Sequence, residues 1–84
     1  MPEVEVGIVR DFFAQPVVAG IELTGEVRLG DTVHIKGHTT DLQVEISSMQ
    51  VDRQDVDVAQ AGQSIGVKVP ERVRAGDRVF KVVP

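Results

Sequence analysis

The sequence predicts an all-β domain, a small closed antiparallel β-barrel of six to eight strands, and three observations carry that reading. Seventeen valines stand against three leucines. A branched Cβ suits a pleated sheet and loses rotamer freedom in a helix, where leucine is the usual core residue. Apolar and polar residues alternate over short runs, the period of a strand with one buried face. Finally, a Gly-Asp pair launches a strand at Gly30-Asp31 and again at Gly76-Asp77, and Gly62-Gln63 repeats the device with Gln for Asp. Glycine accepts positive φ there, and the acid or amide hydrogen-bonds nearby backbone.

Val4, Val6 and Ile8 alternate with Glu3, Glu5 and Gly7 in a first strand. Its apolar phase slips at Ile8-Val9, which predicts a bulge or bend beside Gly7. Pro16, barred from a central ladder, closes the strand after Phe12-Phe13. In the second strand Ala19, Ile21 and Leu23 share a face, and Gly20 lets a neighbouring backbone approach. The Gly30-Asp31 turn starts a third, with Val33 and Ile35 buried. The turn formers Gly37-His38-Thr39-Thr40-Asp41 make a hairpin loop. Leu42, Val44 and Ile46 then face one way before the phase switches to Met49 and Val51, so this long strand bends. Asp52 to Asp55 form a polar loop, and Val56 and Val58 a short strand. Ile65, Val67 and Val69 make the next strand, stopped by Pro70, and residues 78–83 the last. No window shows the 3.6-residue period of a long helix. Single helical turns fit only residues 59–62 or 70–75. Closure removes exposed edges from such valine-rich strands.

At 84 residues with no cysteine, residues 1–84 are expected to form one domain whose core alone supports it. The net charge of −4 argues against nucleic-acid binding through the overall field. No apolar run is long enough to span a membrane, and the start lacks the charged and apolar segments of a signal peptide. With the lack of cysteine, this predicts a cytoplasmic protein.

Charge is distributed unevenly. Between Asp41 and Asp57 five acids and one base give −4, whereas between Lys68 and Lys81 five bases and two acids give +3. Lys68, Arg72, Arg74, Arg78 and Lys81 are therefore candidate RNA-phosphate contacts. A solvated strand face with cross-strand ion pairs accounts for the same residues. Without Tyr or Trp, stacking on bases falls to the three phenylalanines, a poor platform. Phe12 and Phe13 point to opposite faces of a strand, and one of them exposed at a loop would anchor a protein partner. Burial of both at a barrel end is nevertheless the expected fate.

His34 and His38 are the only histidines, and Asp41 lies near them in sequence. With one His on a strand and the other in a turn, two solvated imidazoles are expected and no metal site. His38, Thr39, Thr40 and Asp41 hold the residue types of a hydroxyl-based catalytic set, but side chains diverge in a tight turn. Neither catalysis nor a cofactor is expected.

Four segments occur in order: Val17-Val18-Ala19-Gly20-Ile21, Gly30-Asp31-Thr32-Val33, Ala61-Gly62-Gln63-Ser64-Ile65-Gly66-Val67 and Gly76-Asp77-Arg78-Val79. Together they resemble domain 2 of elongation factor Tu and related translational GTPases. Gly37-His38-Thr39-Thr40-Asp41 and Ser48-Met49-Gln50 resemble stand-alone translation elongation factor-like proteins. The resemblance implies a non-enzymatic barrel that docks on ribosomal or transfer RNA. A related barrel resembles the C-terminal accessory domain of collagenase-like peptidases, where a Gly-Asp turn and a Gly-x-x-Ile/Val strand recur. This implies the alternative, a protein-interaction barrel partnering such an enzyme. No P-loop is present: the run from Gly62 to Lys68 is one residue short and lies in a strand pattern, so no GTP binding is expected.

Overall fold

The computed structural model describes residues 2–14 and 17–83; the stop expected at Pro16 lies outside them. Ten strands follow in order: β1 (Glu3–Ala14), β2 (Val17–Leu23), β3 (Val27–Arg28), β4 (Thr32–Lys36), β5 (Asp41–Glu45), β6 (Met49–Val51), β7 (Gln54–Asp55), β8 (Val58–Ala59), β9 (Ser64–Lys68) and β10 (Arg78–Val82). Among the described residues there is no helix. Residues 59–62 and 70–75, where a helical turn fits the sequence, form strand end, turns and bends instead.

Eight strands make one antiparallel sheet in the order β5-β4-β10-β1-β2-β9-β6-β7, and β3 pairs with β8 apart from it. The expected closure into a barrel is not what forms. β5 and β7 end the sheet without pairing with each other. Two local features keep that seam open. Ile46, just past β5, spends its N–H on the Asp31 carbonyl and accepts from the Gly30 N–H, so it bonds back to the turn before β4. β7 has only two residues, too few to carry a ladder back to β5.

The three strand-launching turns share one geometry. Gly30, Gly62 and Gly76 have φ of 89°, 92° and 97°, the conformation glycine adopts without steric cost. In each, the next residue donates its N–H to the carbonyl three residues back: Asp31 to Arg28, Gln63 to Gln60 and Asp77 to Arg74. The side chain of that same residue turns back too. Asp31 Oδ2 accepts from Arg28 N–H, Gln63 Oε1 from Gln60 N–H, and Asp77 Oδ2 from Arg74 N–H, at 2.9, 2.7 and 2.9 Å. Each turn is thus closed twice, by backbone and by side chain.

β1 is the spine. Its first half pairs with β10 and its second with β2, with register shifts between Glu5 and Gly7 and between Val9 and Asp11. The first bulge, at Val6, explains why Val6 and Val9, three residues apart, are both buried, since an unbroken strand sends such residues to opposite faces. The phase slip at Ile8-Val9 lies between the two bulges. Val4, grouped with the apolar face in sequence, is exposed for the same reason.

Leu42, Val44 and Ile46 turn toward the core, and after the break at Ser47-Ser48 the chain resumes in β6, which pairs with β9 on the far side. The bend expected midway is therefore real. The short strand placed at Val56 and Val58 shifts by one residue: β8 buries Ala59 and leaves Val58 exposed, while Val56 packs on the core before the strand begins. One apolar cluster, from Val6 and Val9 on β1 to Val73 and Val79, fills the curled sheet.

Candidate functional site

The outer face of the paired strands β1 and β2 carries the most chemistry for recognition. Phe12 and Phe13 point to opposite faces, as adjacent strand residues must. Phe12 packs against the core rim, and the Arg72 guanidinium lies over its ring, 5.7 Å from the centroid. Phe13 is 56% exposed, the most exposed of the large apolar side chains. The expected burial of both phenylalanines is not observed, because Phe13 lies on the outer face of the sheet.

The register builds a surface behind Phe13. It sits opposite Val18, which in turn sits opposite Lys68 on β9. One step along, Asp11 faces Gly20, Gly20 faces Gly66, and Gly66 faces Gln50. Gly66 carries no side chain there, so a trough opens over β9, whereas the Asp11 side chain lies close against Gly20. Its deepest part encloses about 420 Å³ and is lined by Val18, Ser48, Gln50, Asp55, Gly66 and Lys68. Gln50 Nε2 donates to Asp55 Oδ1 at 3.0 Å, which holds the acidic end in place across from Lys68. Val17, opposite Ala14, is also exposed but on the other face from Val18. The surface therefore joins an exposed aromatic anchor, a trough that exposes backbone, and one charge of each sign. Such a composition suits a polypeptide better than a small metabolite.

Sequence reasoning named Phe12, Phe13 and Lys68 but missed Val18, Gly66 and Asp55. The signal lay in register: with β1 and β2 paired antiparallel, Val18 stands opposite Phe13 and Val17 opposite Ala14.

The five candidate basic residues do not share one face. Arg78 and Lys81 sit on opposite sides of β10. Arg78 Nη1 pairs outward with Glu5 Oε1 at 2.8 Å, whereas Lys81 is half-buried and donates to the Glu26 carbonyl, with Asp31 3.9 Å away. Arg72 covers Phe12, Lys68 lines the trough, and Arg74 is exposed beside the Gly76 turn. Cross-strand ion pairing, expected of the whole group, is made by Arg78 with Glu5.

His34 is not a freely solvated imidazole. Its Nδ1 lies 2.7 Å from Glu3 Oε2, its Nε2 hydrogen-bonds Asp41 Oδ1, and Lys36 Nζ lies 3.1 Å from Glu3 Oε1. The bond to Asp41, and then that to Glu3, holds its pKa above the ordinary histidine value. The same contacts depress the carboxyls, Glu3 through His34 and then Lys36, and Asp41 through His34. His38 is exposed in the turn. Glu3, 31 residues from His34, was invisible as a partner because only the β1-β10-β4 order brings it near.

No family model matches the chain. It is 42% identical over 79 residues to an uncharacterized protease of Methanocaldococcus jannaschii, an alignment covering 93% of the chain and 19% of that protein. It is also 31% identical over 81 residues to a collagenase of Porphyromonas gingivalis, covering 94% of the chain and 20% of the collagenase. The chain thus spans about one fifth of the length of these relatives. Among solved structures, the C-terminal domain of a putative U32 peptidase of Geobacillus thermoleovorans superposes with a TM-score of 0.86. It shares 18% identity, with 93% of this chain and 91% of that one covered. The fold is that of a U32 peptidase C-terminal domain.

These findings overturn the resemblance to elongation factor-like proteins, and with it the ribosomal or transfer RNA role it implied: the relatives are peptidases and collagenases. The matching segments are largely turns and alternating strands, so they record how such a sheet is built and not which protein carries it. The run from Gly62 to Lys68 enters strand β9 and does not open a helix.

Proposed function

We propose that this chain is a non-catalytic accessory domain of a collagenase-like peptidase of the U32 type, and that it holds the peptidase body through the outer face of the β1–β2 hairpin. The observation that carries this reading is the alignment of nearly the whole chain with a fifth of proteins named as a protease and a collagenase. Exposed Phe13, backed by Val18 and the glycine trough, supplies the aromatic anchor such a contact uses. The non-catalytic part is supported by His34, both of whose ring nitrogens are engaged by carboxylates. This leaves neither free to take a proton from a nucleophile. Cytoplasmic localisation belongs to the same proposal and rests on composition alone.

The test uses the M. jannaschii protease with its matching 79-residue segment removed. Mixed with this chain, the truncated protease should co-elute with it on gel filtration, and the chain alone should not cleave gelatin. Separate elution sinks the docking reading, and gelatin cleavage by the chain alone sinks the non-catalytic one.

A further inference from the structure

The open seam of the sheet leaves β5 with one neighbour, and its free side can be assigned atom by atom. At one end of the β4–β5 hairpin the Gly37 N–H donates to the Thr40 carbonyl at 2.8 Å; at the other, the Ile46 N–H donates to the Asp31 carbonyl at 2.9 Å. Antiparallel ladders bond at every second pair. With the register Ile35 to Leu42 and Val33 to Val44 between those anchors, the bonded residues of β5 are Leu42 and Val44. The N–H and C=O groups of Asp41, Gln43 and Glu45 therefore point away from β4, and β5 is the last strand of the sheet.

Side-chain placement matches this open edge. Asp41, Gln43 and Glu45 are exposed, whereas Leu42 and Val44 on the inner face are only half-buried against the core. A further strand would cover them. A second copy is a poor occupant, because antiparallel pairing centred on Gln43 sets Asp41 of each copy against Glu45 of the other, acid facing acid twice. On β5 itself the charged residues are Asp41, which His34 already engages, and Glu45, both acids, so the edge favours positive charge.

We propose that β5 is an acceptor for an extended basic peptide, which adds as a ninth strand beside it. Its main chain bonds Asp41, Gln43 and Glu45; lysine or arginine at alternate positions faces the two acids; aliphatic residues between them cover Leu42 and Val44. β4, β10 and β1 separate this edge from β2, so the proposal stands apart from the Phe13 face and does not rest on it.

The probe is an acetylated, amidated Lys-Val-Lys-Val-Lys-Val peptide, followed by calorimetry and by amide NMR shifts. Binding at low salt, weakening as salt rises, with shifts centred on residues 41–45, is the expected result. The Glu-Val-Glu-Val-Glu-Val counterpart should bind at least about tenfold more weakly. Gln43→Pro removes an N–H that points outward and leaves the β4 ladder intact; it should weaken binding by about tenfold or more. Glu45→Lys, which touches no backbone bond, should weaken it by about fivefold. No binding up to about 1 mM peptide, equal binding of both peptides, shifts elsewhere on the sheet, or a dimer formed through β5 would each overturn the proposal.

Discussion

Asp77 lies against Gly37 so closely that a β-carbon on the glycine would overlap its carboxylate. Asp77 is 5% exposed and is already committed to closing its own turn on Arg74. The last strand-launching turn is thereby wedged under the β4–β5 hairpin. Gly37→Ala should cost about 1–3 kcal/mol, the range for overpacking a fixed site. Asp77→Ala should relieve the clash, so the double variant should be more stable than the sum of the single losses allows. Urea melts of the four proteins in a double-mutant cycle check this.

The three turns were legible in the sequence, glycine followed by an acid or its amide, because turn chemistry is local. The wedge was not, since nothing at Gly37 or Asp77 says they meet. The bulges show the same limit: the phase slip at Ile8-Val9 was readable, but which residues absorb it depends on the β10 and β2 ladders on either side. Closure failed as an expectation because strand number is a poor guide to it when one end strand has two residues. At the hairpin, composition offered Phe12 and Phe13, while the trough behind Phe13 depends on register setting Val18 against Lys68 and Gln50 against Gly66.

Asp52 and Arg53 both have positive φ, 51° and 66°, in the two-residue turn that joins β6 to β7. Such turns ordinarily use Asn-Gly because both positions are left-handed. Arg53→Gly should raise stability by about 1 kcal/mol, the cost an L-residue carries in that region. A thermal melt that rises by a few degrees checks it; an unchanged or lower midpoint contradicts it.

The His34 cluster makes stability depend on pH in two directions. His34, with its pKa raised in the fold, contributes stability that is present below about pH 6.5 and lost as pH climbs through the raised value. Glu3 and Asp41, with theirs lowered, contribute stability that is present above about pH 4 and lost as pH falls through the depressed values. Their combined contribution is greatest in the window between. His34→Gln should flatten the rise in melting temperature seen on going from alkaline to mildly acidic buffer. An unaltered pH profile in that variant would show the cluster to be inert.

Phe12 and Phe13 should separate cleanly on substitution. Phe12→Ser removes a ring packed on the core and stacked by Arg72, and should lose about 2–4 kcal/mol of stability. Phe13→Ser removes a ring that is mostly in solvent and should change stability by less than about 0.5 kcal/mol. Paired chemical denaturation curves give both values.

The central claim is that the chain holds a peptidase body through the Phe13 face, and titration calorimetry of wild type and Phe13→Ser against the truncated M. jannaschii protease tests it most directly. Loss of an aromatic anchor worth about 2 kcal/mol should weaken binding by about thirtyfold. Equal affinities for wild type and Phe13→Ser, or no heat of binding for wild type, would contradict it.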